Sequence, residues 1–549
     1  MNTFHSVTSS TSDYVVIGSG INSLVASAEL ARAGATVTLL EEKNRLGGFI
    51  DSGELTQPGF IHDTFSSWHP LFMAGAAYAE LGQELHRHGL RYLNTEDAGT
   101  PWVCGSVGTD AKGRATTVLA QRDPGKTAEA FEHAEDREEY AVMLHDFGAQ
   151  APVIFGAMGS EMNLPSVAKL GFTALRMGST KLQGLLRQGM MSGRNLTRSR
   201  FIGHEVDQLW APWLLHAGLG PEQASGGVML PVMAASMHQF GLPIVKGGAR
   251  EFVAAFESLL RETGVTIHTG VRADSILMRN GRAAAVATAS GTFEASRGIL
   301  ASVSVPQIYD ELLNGPEIPH RAQARARQYQ PGRAAMQIHV ALDSPVPWSD
   351  ERLAQTPLIH LSTGSNSTAI ACAQAEAGLL PAQPTIVIGQ QCVLDPSRAP
   401  AGKATLWLQL QELPFEPVGD AAHELGTSEG WNEQLVAAYT QRVLEQVEHY
   451  APGLRELVLG IKAISPRELS EVNRNAVRGD PYGGSAELYQ NLLWRPLPQL
   501  GKGRQPVKGL WHIGAATHPG PGLGGGSGHL TAQQLIRRSK SSRRQKSST

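Results

Sequence analysis

Gly18 and Gly20 stand two residues apart in the run Gly18-Ser19-Gly20-Ile21-Asn22-Ser23, and an acid, Glu41, follows about 20 residues past that turn. Glycines at this spacing let the backbone approach a pyrophosphate, whose charge sits on free N–H groups at the start of a following helix. An acid at this distance can accept hydrogen bonds from an adenosine ribose. Together they are the working residues of a dinucleotide site. Ser23 takes the third position of the fingerprint, where glycine is usual, and leaves a little less room where helix and strand pack. Histidines offer the other visible chemistry: His62 beside Asp63, His69 after Trp68, His518 in a glycine-rich loop and His529 at a helix start. With 19 in the chain several fall near any motif by chance, and only His518 is kept as a candidate for substrate contact.

The elements that must hold the glycine turn surround it in order. Tyr14-Val15-Val16-Ile17 predicts a short buried strand, Leu24 to Ala33 carries apolar residues at helical spacing, and Val37, Leu39 and Leu40 return as a second strand ending at Glu41. Beyond it the run E-x-x-x-R-x-G-G, with Arg45, Gly47 and Gly48, resembles the FAD pyrophosphate region of flavoproteins rather than that of an NAD dehydrogenase.

Two later pieces have the same character. One begins at Leu242-Pro243-Ile244-Val245-Lys246-Gly247-Gly248 and continues through a helix from Glu251 to Glu262. It goes on through a strand from Val265 to Thr269, the hairpin Arg279-Asn280-Gly281-Arg282, and strands over Ala283 to Thr288 and Gly298 to Val303. The other runs from Gly509 through a glycine-rich turn to Gly528 and opens a helix from His529 to Arg537. The loop Gly520 to Ser527 repeats a G-x-G spacing but has no following strand with a terminal acid, so it is assigned to flavin contact. Without a separate NAD module, a nicotinamide donor would have to stack directly on the flavin, and oxygen or a quinone serves equally as electron acceptor.

Between these pieces Trp210-Ala211-Pro212-Trp213-Leu214-Leu215 precedes Val228 to Met237, where Met229, Met233 and Met237 fall four apart on one helical face. Such a stripe reads first as core and second as the lining of an apolar substrate tunnel. Arg250 reads as a solvated first-turn residue, and Arg495 suits an internal carboxylate or an acidic substrate group.

The GSGINS turn, the E-x-x-x-R-x-G-G run, the PIVKGG segment and the terminal GLWHIGAATHPGPGLGGGSG resemble the phytoene-dehydrogenase-related flavoproteins. Trp494-Arg495-Pro496 and Asn473 to Asp480 extend the similarity to the branch called pyridine nucleotide-disulfide oxidoreductase domain-containing protein 2. The resemblance implies an α/β fold: a glutathione-reductase-type Rossmann FAD-binding domain with an inserted α+β substrate domain. It also implies that Gly18, Gly20 and Ser23 face the pyrophosphate, Glu41 the ribose, and Arg45, Gly47 and Gly48 the flavin side. Val271 offers its backbone to adenine, and Gly514 with the loop from Thr517 to Gly528, Gly526 included, borders the ribityl chain and ring. Ala515 stands where many flavoproteins have an acid, which leaves main-chain contacts there.

At 549 residues the chain exceeds one core. The expected division is a discontinuous FAD-binding domain over 13–70, 242–305 and 466–536, a substrate domain over 71–241 and 306–465, and a basic disordered tail over 537–549. No apolar run is long enough to span a membrane, and residues 1–12 lack the pattern of a secretory signal, so a cytoplasmic or mitochondrial-matrix location is expected. Cys104, Cys372 and Cys392 are far apart, which argues against disulfide exchange and for small buried side chains. Arg537, Arg538, Lys540, Arg543, Arg544 and Lys546 crowd the last thirteen residues without an acid, a solvated tail or a patch for peripheral contact with anionic lipid. The acidic remainder of the chain excludes nucleic acid as a partner, and no metal site is expected.

The function expected is FAD-dependent oxidation or reduction of a carbon–carbon bond in an apolar, isoprenoid or lipid-like small molecule. A catalytic residue need not exist, because the cofactor accepts the hydride. An FAD-binding regulatory protein with little catalysis and a flavin amine oxidase are the alternatives.

Overall fold

A computed structural model describes residues 10–110, 112–161, 164–313, 320–497, 505–522 and 524–547, with backbone only at 164 and 542–547. Leu523 of the glycine-rich loop, the segment 1–9 and residues 548–549 of the basic tail lie outside the described residues.

The strand Ser10–Ile17 is central to a mixed seven-stranded sheet. It pairs in parallel with Val37–Leu40 on one side and with Gly291–Ala301 on the other, and Leu510–His512 joins in parallel beyond the latter. Their register aligns Ile17 with Leu40 and Ala301, and Ala301 with His512. Four strands therefore end in one row, and the residues that follow them share the carboxyl edge where open α/β sheets bind ligands. Both faces are covered, as parallel strands require. Tyr14 and Val16 pack with the helices Ile21–Arg32 and Ala249–Glu262, while Val15 and Ile17 pack against Ile308, Tyr309 and Leu312 on the opposite face. The edge hairpin turns through Asn280 and Gly281, both at positive φ, as a two-residue turn of this kind needs.

A second seven-stranded sheet, largely antiparallel, is ordered Val458–Ile464, Ala334–Leu342, Ala404–Leu413, Ile386–Gly389, Leu358–Leu361, Trp102–Thr109 and Ala115–Gln121. The helices Ala134–Met158, Leu164–Arg176, Ser179–Met190 and Gly226–Phe240 belong to this half of the chain. The coarse expectation, an α/β protein with mixed sheets, agrees with this arrangement.

Three boundaries differ from the expectation. The helix Ala76–Arg87, placed past the boundary at Pro70, buries Ala77, Leu81 and Leu85 in the core of the first sheet. Ile308, Leu312, Ala322 and Ala326, placed in the substrate domain, cover that sheet's other face. Amphipathic segments were assigned by chain position, whereas the face each buries decides which sheet it joins. The last helix runs Gly526–Ser547, so the segment expected to be disordered is helical to Ser547. After Gly528 it contains neither glycine nor proline to stop it.

Candidate functional site

The row of strand ends places Gly18, Glu41, Ser302 and, one residue beyond Ile513, Gly514 around one cleft of about 480 Å³. That size is ordinary for a small-molecule site. Gly20, Gly47, Gly48 and Val271 also line it. Seven of the eleven residues expected at the cofactor thus share one wall. Ser23, Arg45, Thr517 and Gly526 stand behind it.

The turn is built by close approach. Gly18, at φ +82°, donates its N–H to the Leu40 carbonyl at 2.8 Å, and a Cβ there would come 3.1 Å from the Ser302 carbonyl oxygen. A Cβ on Gly48 would lie 3.3 Å from Gly20 Cα, and one on Gly514 would lie 2.9 Å from Ser302 Oγ. The helix Ile21–Arg32 begins directly after Gly20 with no side-chain cap on its first N–H groups. An uncapped helix start facing a glycine-walled cleft fits a pyrophosphate, so these residues suit FAD.

Glu41 closes the end of the cleft beside Lys43 and Val271. Its Oε2 accepts from the Ser19 N–H at 2.8 Å and the Ser19 hydroxyl at 2.6 Å, and its Oε1 accepts from the Lys43 N–H at 2.9 Å. The Val271 N–H donates to the Glu41 carbonyl at 2.8 Å, which ties the main chain at these two lining residues together. Glu311 pairs with both Arg272 and Arg474 at this end.

The four residues behind the wall hold it in shape. Arg45 Nε pairs with Asp51 at 3.1 Å, and its guanidinium donates to the carbonyl of the lining residue Gly48 at 3.4 Å. Ser23 is fully buried at the helix start. Thr517 donates to the Gly514 carbonyl at 3.0 Å and bonds Ser527, whose hydroxyl accepts from the Gly514 N–H at 3.2 Å. A Cβ on Gly526 would meet Pro519 at 3.0 Å. His529 and Gln533 both bond the buried Glu29 carboxylate, tying the last helix to the first.

Sequence reasoning missed Ser302, which sits between Gly18 and Gly514, and Asn475, which donates to the Ser302 carbonyl at 3.0 Å. Ser302 fell inside the strand expected over Gly298 to Val303, whereas the strand ends at Ala301 and leaves Ser302 just past it.

The other end of the cleft is lined by Phe65, Trp68, Trp213, Met229, Met233, Met237, Phe240 and Leu242, with Gln337, Gln409, Gln411 and Tyr482 on the second sheet's side. The methionine stripe read first as core therefore faces the cleft, although Met237 is also packed in the adjoining core. Tyr482 is positioned by Arg495, which donates to the carbonyls of Tyr482 at 2.6 Å and Ala515 at 2.9 Å. Arg495 thus bonds main-chain carbonyls. The nearby Asp480 accepts from the N–H groups of Gly332, Tyr482 and Gly484.

The tempting histidines point elsewhere. His518 bonds the carbonyls of Ala157 and Ser160, His62 the Thr56 hydroxyl, and His69 the Tyr92 hydroxyl. Burial lowers His62 to about 4 and His69 to about 3. Arg250 pairs with Asp51 near the surface. His216 does line the cleft, and burial pushes it down to about 4 while its Nε2 meets His360 Nε2 at 2.9 Å. All three cysteines are free, and burial raises each thiol, Cys372 to about 12. Among the described residues no cluster of His, Cys, Asp or Glu could hold a metal ion, and no helix is long and apolar enough to cross a membrane.

The family model described as flavin containing amine oxidoreductase matches residues 24–535. Pyridine nucleotide-disulfide oxidoreductase domain-containing protein 2 of Rattus norvegicus is 27% identical over 565 residues, covering 96% of this chain and 93% of that protein. A 4,4'-diapolycopene oxygenase of Methylomonas sp is 24% identical, with 93% and 94% covered. Among solved structures, putrescine oxidase bound to putrescine is similar with a TM-score of 0.61 at 14% identity, covering 96% of this chain and all of that one, a likeness of fold.

Proposed function

The chain belongs to the flavin containing amine oxidoreductase family, and from that premise we propose that this FAD-dependent oxidoreductase dehydrogenates or saturates a carbon–carbon bond of a largely apolar substrate. One observation carries the reading. Every Asp, Glu, Lys and Arg lining the cleft is at its nucleotide end, while the substrate end offers apolar side chains, amides and hydroxyls. Its one imidazole, His216, is neutral at pH 7 because burial holds it near 4. A charged amine entering this end would lose hydration without a counter-ion, which is costly. An apolar chain would gain about 25 cal/mol per Å² buried. The name of the Methylomonas relative, an oxygenase of 4,4'-diapolycopene, accords with this reading.

Bound FAD supplies the hydride acceptor. In our reading Gly18, Gly20 and the helix start hold the pyrophosphate, Glu41 the ribose, and the Val271 main chain the adenine. Gly47 and Gly48 border the flavin side, and Gly514 borders the ribityl chain, kept in place by Thr517 and Gly526. Arg45 and Ser23 act from behind, shaping the loop and the helix start. The first sheet is then a glutathione-reductase-type Rossmann layer with the second sheet as the core of the inserted substrate domain. Trp68, Trp213 and the methionine face exclude water and set the substrate carbon against the ring; in dehydrogenation oxygen, a quinone or NAD(P)+ takes the electrons, and in saturation NAD(P)H supplies them.

Anaerobic bleaching of the purified flavoprotein by a panel of isoprenoids, fatty acyl compounds, amines and NAD(P)H tests this. Bleaching by the apolar members is expected. Bleaching by amines alone would establish an amine oxidase, and no bleaching by any member would leave the regulatory alternative.

A further inference from the structure

We propose that the consecutive helices Leu164–Arg176 and Ser179–Met190 form a docking surface for an anionic lipid bilayer, set over the helices that wall the substrate end of the cleft. This deepens the proposed reaction by stating where an apolar substrate enters, and rests on that reading only for that step.

The first observation is an apolar face without a partner. Phe172, Leu175, Leu186 and Met190 are 56, 68, 59 and 77% exposed. The helix Ser179–Met190 has no buried residue at all, although Leu182, Leu185, Leu186 and Met190 give it an apolar side. Short helices draw most of their stability from burying such a side.

Charge identifies what covers it. From residue 164 to 190 the chain carries Lys169, Arg176, Lys181 and Arg187 and no acid. All four are exposed, and among the described residues none forms an ion pair, while Arg176 lies over the Phe172 ring at 4.3 Å. Large apolar residues beside unpaired cations are the composition of a helix that lies in a membrane interface and prefers anionic lipid. A second copy of this face would bring like charges together.

Position supplies the link to the cleft. Leu170 packs where a Cβ on Gly156 would lie 3.0 Å away, and Met158 at the end of that same helix lines the cleft. On the other side, a Cβ on Gly227 would come 2.7 Å from the Gln188 carbonyl, where the helix Gly226–Phe240 begins. That helix carries Met229, Met233 and Met237 into the cleft. A bilayer held on the pair therefore faces the back of both cleft-lining helices.

The test is co-sedimentation of the full-length FAD-loaded protein with phosphatidylcholine vesicles, with and without phosphatidylserine. Binding is expected only to the anionic vesicles and should fall with salt. The exposed-residue variants Lys169→Gln/Lys181→Gln/Arg187→Gln and Phe172→Ser/Leu175→Ser/Leu186→Ser/Met190→Ser should keep their flavin absorbance. The first should weaken partition by on the order of a hundredfold, and the second by about tenfold or more. A chain truncated after Ile536 should bind as well as the full one. Absence of vesicle binding, binding lost on truncation but kept in both variants, or a variant-sensitive dimer in place of vesicle binding would each overturn the proposal. Flavin bleaching in detergent micelles reads the substrate assignment separately, because it requires no bilayer.

Discussion

Ser19 donates twice to one carboxylate oxygen of Glu41, from its N–H at 2.8 Å and its hydroxyl at 2.6 Å, so the residue between the two turn glycines sets the orientation of the Glu41 carboxylate. Glu41→Gln keeps the shape and removes the charge. Loss of a charge-assisted hydrogen bond to ribose is worth about 1.5–3 kcal/mol, so the variant should bind FAD roughly ten- to a hundredfold more weakly. Fluorescence titration of apoprotein with FAD measures it. Unchanged affinity in a folded variant would remove Glu41 from the adenosine site.

Ser302 separates Gly18 from Gly514: a Cβ on Gly18 would meet its carbonyl oxygen, and one on Gly514 its hydroxyl. Gly514 has φ +105°, and a Cβ there would lie 2.9 Å from Ser302 Oγ. Gly514→Ala should lower flavin occupancy and the thermal midpoint, because a left-handed non-glycine residue costs about 1–2 kcal/mol before any clash. Adding Ser302→Ala removes the hydroxyl but leaves the backbone strain, so partial recovery is expected in the double variant. Full recovery would show that φ at Gly514 does not matter, and none would show that Ser302 is not the obstacle.

The nucleotide half was readable because its signals are local. A strand, a glycine turn, a helix and a terminal acid follow one another within 13–48, and parallel pairing then fixes where Gly18 and Glu41 lie. Ser302 and Asn475 were not readable, since their meaning depends on pairing between segments hundreds of residues apart. Arg495 was misjudged for a related reason. A guanidinium next to proline suits a carboxylate in sequence, whereas the fold presents the carbonyls of Tyr482 and Ala515. The methionine stripe was correctly placed on one helical face, but periodicity does not distinguish a core from a cavity wall.

Two buried groups near the substrate end respond oppositely to pH. Burial raises Glu412 from 4.5 to about 7, so the unfolded chain loses this proton before the folded one. Its contribution to stability is full below pH 4.5 and is lost as pH rises to about 7. His216, lowered from 6.5 to about 4, contributes fully above 6.5 and loses that contribution as pH falls to about 4. Glu412→Gln removes only the first effect. In the variant the amide NH2 also faces the N–H of Thr385 or of Gln411, each of which donates to a carboxylate oxygen of Glu412, a cost present at every pH. Denaturant unfolding should therefore show the variant's deficit shrinking by on the order of 3 kcal/mol between pH 4.5 and 7. A deficit constant with pH would mean that Glu412 ionises alike in both states.

Met233 decides whether the apolar end receives a substrate or is merely incompletely packed. It is half-buried, lines the cleft, and lies one turn from both Met229 and Met237. Met233→Trp fills space that a long apolar chain would occupy, and overpacking of this kind costs about 1–3 kcal/mol. If the chain passes along the stripe, kcat/KM for a long substrate should fall about fivefold to a hundredfold. A short analogue that ends before Met233 should be turned over almost as before. FAD affinity should not change, because the proposed pyrophosphate and ribose contacts, Gly18, Gly20 and Glu41, line the opposite end of the cleft. Equal losses for long and short substrates, measured as anaerobic flavin reduction rates, would return the stripe to the core and leave Trp68, Trp213 and Gln411 as the residues that define the substrate.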